Sequence, residues 1–362
     1  MWQFERAMVT TIAVALVQVL ASAQQPCSIG ARAHYGFLWP HRPSSWILVE
    51  GHAPAIELFA ERKVSGAQHW HHDYAIPTYG LGVLYTGMAN PDRIGAAVRV
   101  VPYLFLPFVQ DDRHAFGLRV GWGVGYIAKP FERAENTKQI AIGSRINTAI
   151  QLMPEYRYSY NRFTMHAGIG IDHWSNGSVQ LPNLGLNYLS VNAGMSYALE
   201  PPVEGSTLRP LSDEREPHLR EWNIVGAFAV NETARPLSGQ YGVVSLSGQR
   251  QWQVSSKSHL MAGVDLFNKG TLATVHPEMK ERDRIEYTQL GVHGGYALGF
   301  GNGELFMNMG AYVYTPVEDE APFFHRVGVR YRTGKHLIWN LSLKSHYAVA
   351  DHWEFGVGYR WN

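Results

Sequence analysis

Between Phe163 and Tyr197 the chain alternates residue by residue, and a period of two leaves few folds open. Phe163, Met165, Ala167, Ile169 and Ile171 share one face of an extended strand, with Thr164, His166, Gly168, Gly170 and Asp172 on the other. A second run sets Asn187, Leu189, Val191, Ala193, Met195 and Tyr197 against Tyr188, Ser190, Asn192, Gly194 and Ser196. Strands with one apolar face and one small or polar face suit a membrane β-barrel, whose apolar side meets lipid. Between the runs, Asn176, Gly177, Pro182, Asn183 and Gly185 mark a turn. In simple register the hairpin sets Ser175 opposite Asn187 and His173 opposite Leu189. His173 and Ser175 continue the apolar phase. A Ser, a His and an Asn are therefore expected together outside the barrel wall, where a lipid can reach them.

Similar runs recur at 28–38, 52–62, 79–85, 96–108, 116–126 and 146–158, then at 222–230, 244–254, 259–267, 305–313, 337–343 and 353–361. The fifth is the cleanest, with Phe116, Leu118, Val120, Trp122, Val124 and Tyr126 on one face and glycines with Arg119 on the other. Short turns (159–162, 255–258, 301–303, 333–335) alternate with longer loops (129–143, 176–185, 268–283, 316–322), which is the habit of outer-membrane barrels. A polar, proline-containing segment at 201–218 divides the strands into two groups. Because lipid-facing sheet edges must be closed, the expectation is an all-β antiparallel transmembrane barrel of about 14–16 strands. An eight-stranded barrel followed by a second β unit is the alternative. The layout is a signal peptide at 1–23, barrel strands at 24–200 with the hairpin just described, the connection at 201–218, and further strands at 219–362.

The first residues support export. Arg6 precedes an apolar stretch from Met8 to Ala21, and Ala21-Ser22-Ala23 is a small-x-small cleavage site. No later stretch approaches the roughly eighteen apolar residues of a spanning helix. The single cysteine, Cys27, excludes an internal disulfide framework. A formal net charge of +1 points away from nucleic acid. Charged residues make up 17% of the chain, below the usual quarter of a soluble domain, so a secreted soluble all-β protein is the weaker class.

Ester hydrolysis needs a nucleophile, a base to take its proton, and donors aimed at the developing oxyanion. Ser175 and His173, at i and i+2 on one strand face, lie about 7 Å apart by strand rise, a gap that rotamers can close. Asn176, Asn183 and the Gly177 amide are the nearby donors. Asp172 and Glu155 are close in sequence, but both fall on the lumen phase. His69-Trp70-His71-His72-Asp73 has metal-ligand chemistry without a second ligand set and reads better as an inter-strand segment. Lys129, Arg133 and Lys138 in one loop, and Lys280, Arg282 and Arg284 in another, are candidates for phosphate contacts or simply solvated charges.

At the hairpin the sequence resembles the outer-membrane lipid A 3-O-deacylase family, also called acyloxyacyl hydrolases. The matching residues are His173-Trp174-Ser175-Asn176-Gly177 and Pro182-Asn183-Leu184-Gly185-Leu186-Asn187. The strands from Gly30 to Leu199 are similar more loosely, and the length to Asn362 looks like the longer relatives from Bacteroidetes-type bacteria. The resemblance implies His173 as base, Ser175 as nucleophile and Asn183 as an oxyanion contributor, with no metal or organic cofactor. It also implies lipid A, or lipopolysaccharide, in the outer leaflet as the partner; oligomeric state is left open. Asn187 stands where the family commonly carries Glu. Asn can orient an imidazole but stabilises its positive charge less well. The competing expectation is a non-catalytic barrel, a porin-like channel or envelope scaffold, which would need an open polar lumen. No acidic cluster supports a calcium-dependent lipase.

Overall fold

The computed structural model describes residues 27–200, 220–233, 236–317, 321–347 and 349–361. The expected signal peptide (1–23) and polar connection (201–218) lie outside the described residues. Two compact units result. The first runs to Asn176 and resumes at Leu184, and the second comprises Gly177–Asn183 with the strands after the connection.

In the first unit, β1 (Cys27–Leu38), β2 (His52–Lys63), β3 (Thr78–Thr86), β4 (Ala97–Gln110), β5 (His114–Ile127), β6 (Ile146–Tyr160), β7 (Phe163–Ser175) and β8 (Leu186–Ala198) pair in order, and β1 closes on β8. The second unit repeats the plan. Its strands are β9 (Arg220–Glu232), β10 (Gln240–Gln253), β11 (Ser258–Lys269), β12 (Thr288–Phe300), β13 (Gly303–Tyr314), β14 (Phe323–Thr333), β15 (Leu337–His346) and β16 (Val349–Trp361). The sixteen antiparallel strands thus close as two eight-stranded barrels, the alternative in the sequence reading, and not as one barrel of about 14–16. Eight strands enclose a space that side chains can fill, so each group of strands is a complete solution to edge closure.

The outer surfaces carry the apolar phase. Ile29, Leu58, Val124, Met165, Ile169 and Val191 are exposed on the first barrel, and Ile224, Leu246, Val264, Met309 and Val327 on the second. Aromatic side chains gather at the short-turn end of the first barrel, where Phe163 lies 5.1 Å from Tyr197 and Phe108 6.2 Å from Phe116, ring to ring. This banding is the membrane-barrel pattern.

The interiors are charged and ion-paired. In the first barrel Glu57 receives Arg119 at 2.6 Å, Arg99 at 3.3 Å and Arg32 at 3.7 Å, all fully buried. Glu155 pairs with Arg32 and Arg157, and Glu61 with Arg157. Arg119 also stacks over Tyr103, 3.5 Å from the ring centre. In the second barrel Arg326 bridges Asp265 (3.0 Å) and Glu354 (2.7 Å). Buried charge is tolerable only when paired in this way. At the long-loop end of the first barrel an apolar layer closes the lumen. Leu48 from the 3-10 helix Pro43–Leu48, Met88, Ile94, Ala141 and Ile142 from loops, and Trp174, Leu186 and Tyr188 from the strands form it.

Two strands were not anticipated. β12 is interrupted by glycines, and β14 carries Arg326, Arg330 and Arg332, three charges that mask its apolar phase. Arg326 and Arg330 are instead lumen residues, 2% and 3% exposed, and Arg330 reaches Glu304 at 3.4 Å. Among the turns, the β2–β3 connection at 64–77 is the long exception at the short-turn end, with a one-turn helix at His69–Asp73.

Candidate active site

The end of β7 is held from inside the barrel. Asp172 turns inward to Arg99 (2.7 Å), and Trp174 turns inward to lie fully buried beneath the apolar layer. Gly125 on β5 leaves the space for that indole, since a Cβ there would run into it. With both neighbours pointing inward, strand alternation turns His173 outward.

The β7–β8 register differs from the simple hairpin by two residues. His173 pairs with Asn187 and Ile171 with Leu189, while Ser175, the last residue of β7, pairs across to Thr148 on β6. The expected Ser175–Asn187 and His173–Leu189 pairings are therefore corrected. β8 begins at Leu186, directly after the turn. The shift of two keeps every side chain on its expected face, so Asp172 and Glu155 still point to the lumen. It also improves the contact that matters: the His173 Nδ1–H donates to Asn187 Oδ1 at 2.7 Å.

Asn187 reaches further. Its Nδ2–H donates to His41 Nδ1, also at 2.7 Å. His41 lies in the loop after β1, and no alternation pattern marks it. The signal for it is barrel closure. The β1–β8 register that sets Leu38 against Tyr188 continues with the Trp39 N–H donating to the Asn187 carbonyl, which delivers His41 to the same corner. Burial lowers the His41 pKa from the usual imidazole value and the neighbouring Arg42 charge lowers it further, against a hydrogen bond to the Leu184 backbone.

The turn into β8 lies against His173. Gly185 has φ +80°, its N–H donates to the Ala141 carbonyl at 3.0 Å, and a Cβ there would stand 2.5 Å from His173 Cε1. Only glycine combines that backbone with that approach. Ser175 is 8% exposed, so it is covered and not open to bulk solvent. The Asn176 side-chain amide donates to Ser144 Oγ at 2.9 Å. The structure thus brings His173 and Asn187 into direct contact at the end of β7. It ties Asn176 to the β5–β6 loop and places Gly177 and Asn183 with the second unit.

His72, Arg282 and Arg284 of the other clusters have local partners. The His72 Nε2–H donates to the Gly66 carbonyl at 2.8 Å, and Arg284 donates to the carbonyls of Gly242 (2.8 Å) and Asn268 (3.3 Å). Arg282 approaches Glu286 at 3.9 Å. Among the described residues, no group of three or more His, Cys, Asp or Glu side chains is arranged to hold a metal ion.

Comparison with known proteins gives two family matches. Residues 55–196 match the family described as lipid A 3-O-deacylase (PagL), and residues 220–362 match the acyloxyacyl hydrolase C-terminal domain. The first spans β3–β7 and nearly all of β2 and β8, and the second spans the whole of the second barrel's strands. No curated protein matches the chain significantly. Among solved structures, a mutant of the Rh. blastica porin is 8% identical with a TM-score of 0.17, over 93% of this chain and 100% of that one. The KdgM porin is 9% identical with a TM-score of 0.19, over 92% and 98%. Likeness at that level carries no argument. The family matches do: between them they take in most of the chain, and the chain belongs to the lipid A 3-O-deacylase, or acyloxyacyl hydrolase, family.

Proposed function

We propose that this protein is an outer-membrane esterase that removes an ester-linked acyl chain from lipid A. The observation that supports it most is the His173–Asn187 hydrogen bond at the end of an outward-facing strand, two residues from Ser175. With Nδ1 protonated and bound to Asn187 Oδ1, the His173 Nε2 lone pair is free to act as a base. His173 Nε2 takes the Ser175 Oγ proton as Oγ attacks the ester carbonyl. The ester C–O bond then breaks, the sugar alcohol leaves with the proton from His173, and the acyl chain stays on Ser175. Water, deprotonated by His173, releases the fatty acid and restores Ser175. Asn183, Gly177 and Asn176 are the proposed oxyanion donors on sequence grounds, with the Asn176 side chain the weakest because it already donates to Ser144.

The outward placement of His173 suits a substrate whose chains lie in the bilayer. A channel reading has less support, because ion pairs and an apolar layer fill the first barrel. The test is mass spectrometry of lipid A from cells expressing the wild type or Ser175→Ala, with both barrels verified as folded by heat-modifiable electrophoretic mobility. Loss of one acyl chain with the wild type alone is expected. Unchanged lipid A in both would overturn the reading.

A further inference from the structure

The unexplained member of the corner is His41. The side-chain amide of Asn187 is two-faced: its Oδ1 only accepts and its Nδ2 only donates. Facing His173 with Oδ1, it requires a proton on His173 Nδ1 and leaves Nε2 free. Turned over, it would donate to Nδ1, place the proton on Nε2 and leave the base with nothing to take a proton from Ser175. A carboxylate at this position would accept with either oxygen and would need no such guidance; an amide does.

We propose that His41 is a positioning residue that accepts the Asn187 Nδ2–H at its own Nδ1, holds Oδ1 toward His173, and so sets the His173 tautomer that the esterase reaction needs. The inference rests on the esterase reading for its kinetic consequence, but not for its structural one. Three facts support it. Both hydrogen bonds of the chain His173–Asn187–His41 are 2.7 Å, so the amide is held at both ends. The Asn187 backbone carbonyl is fixed by the Trp39 N–H at 2.8 Å, which ties the loop bearing His41 to the same residue. Desolvation and the Arg42 charge lower the His41 pKa, which favours the neutral ring that an accepting Nδ1 requires.

The arrangement makes the amide sensitive to pH. A protonated His41 donates from Nδ1 and would face the Nδ2 donors of Asn187, favouring the inverted amide. Activity should fall as pH drops through the His41 titration, which partial desolvation and Arg42 lower from the ordinary imidazole value. The charged and titratable groups facing His41 are Arg42 on its own loop and His173 on β7.

The experiment uses the full chain in detergent micelles with purified lipid A, comparing wild type, His41→Leu, His41→Gln, Asn187→Glu and the His41→Leu/Asn187→Glu double variant. His41→Leu should lower kcat by about tenfold or more with KM unchanged, the mark of a group that acts on the reaction and not on binding. His41→Gln, whose side-chain carbonyl can accept from Nδ2, should recover part of the loss. In the Asn187→Glu background the His41→Leu change should have little effect, because a carboxylate has no wrong face. Equal losses in both backgrounds, or an unchanged kcat in His41→Leu, would overturn the proposal. The ring 15N shifts of His173, identified by difference against His173→Gln, give a readout without turnover. They should report Nδ1–H in the wild type and a tautomer mixture in His41→Leu. Were the wild type to hydrolyse no lipid A, the esterase reading would fail, while the same spectra would still decide the role of His41; an unmixed Nδ1–H signal in His41→Leu would refute it.

Discussion

Gly185 sets the space in which His173 sits. Its φ of +80° and the 2.5 Å approach of a hypothetical Cβ to His173 Cε1 make two separate demands, one on the backbone and one on the ring. Gly185→Ala should therefore do more than strain the turn by about 1 kcal/mol; it should also push the imidazole off Asn187. A displacement near 1 Å at a reacting group costs about 10²-fold, so lipid A deacylation by the variant should fall by that order while the barrel still folds. Rate assays beside electrophoretic mobility would check this, and full activity would show that the ring has room to spare. The sequence displayed Gly185 as a turn residue. It could not display the approach to His173, which exists only once the β7–β8 register is set two residues away from the simple hairpin.

Elements are stabilised here by what crosses the lumen between strands far apart in sequence. Glu57 on β2 gathers Arg32 from β1, Arg99 from β4 and Arg119 from β5. Glu57→Gln would leave these buried guanidinium groups without their shared counter-charge. Breaking such a pair from one side costs about 3–5 kcal/mol. The expected result is a folded fraction that collapses at markedly lower urea than the wild type, read by the mobility shift. A loss under about 1 kcal/mol, the range of solvated surface pairs, would mean that water reaches the lumen. Gly125→Ala tests the layer above in the same assay: it should displace Trp174 and destabilise the barrel, because the indole has no other place. The same logic explains why β14 was illegible as a strand. Arg326 and Arg330 interrupt an apolar pattern until Asp265, Glu304 and Glu354 on other strands are seen to receive them.

At the scale of the whole molecule, the sixteen strands of the described residues divide into two closed barrels, each with an apolar exterior and an ion-paired interior. Reconstituted in planar bilayers, the full chain should show no stable porin-like conductance steps. A steady ohmic conductance would mean that a lumen opens and would revive the channel reading. The family match to the second barrel covers its strands without a break, and those strands close on themselves, so the second barrel is not the far half of one large barrel.

The period of two, the turn residues and the strand lengths determined by themselves that this chain folds as antiparallel barrel strands with apolar outer faces. They also determined that His173 lies on the outer phase while Asp172 and Glu155 face the lumen, because side-chain alternation is a local property of each strand. Closure is not local. Whether β8 pairs with β1 or with a ninth strand depends on edges that meet only in three dimensions, and on charges such as Glu57 and Arg119 that are tolerable only when they meet. That closure brought the loop after β1 to Asn187, and with it His41, a residue whose place beside His173 no stretch of sequence contains.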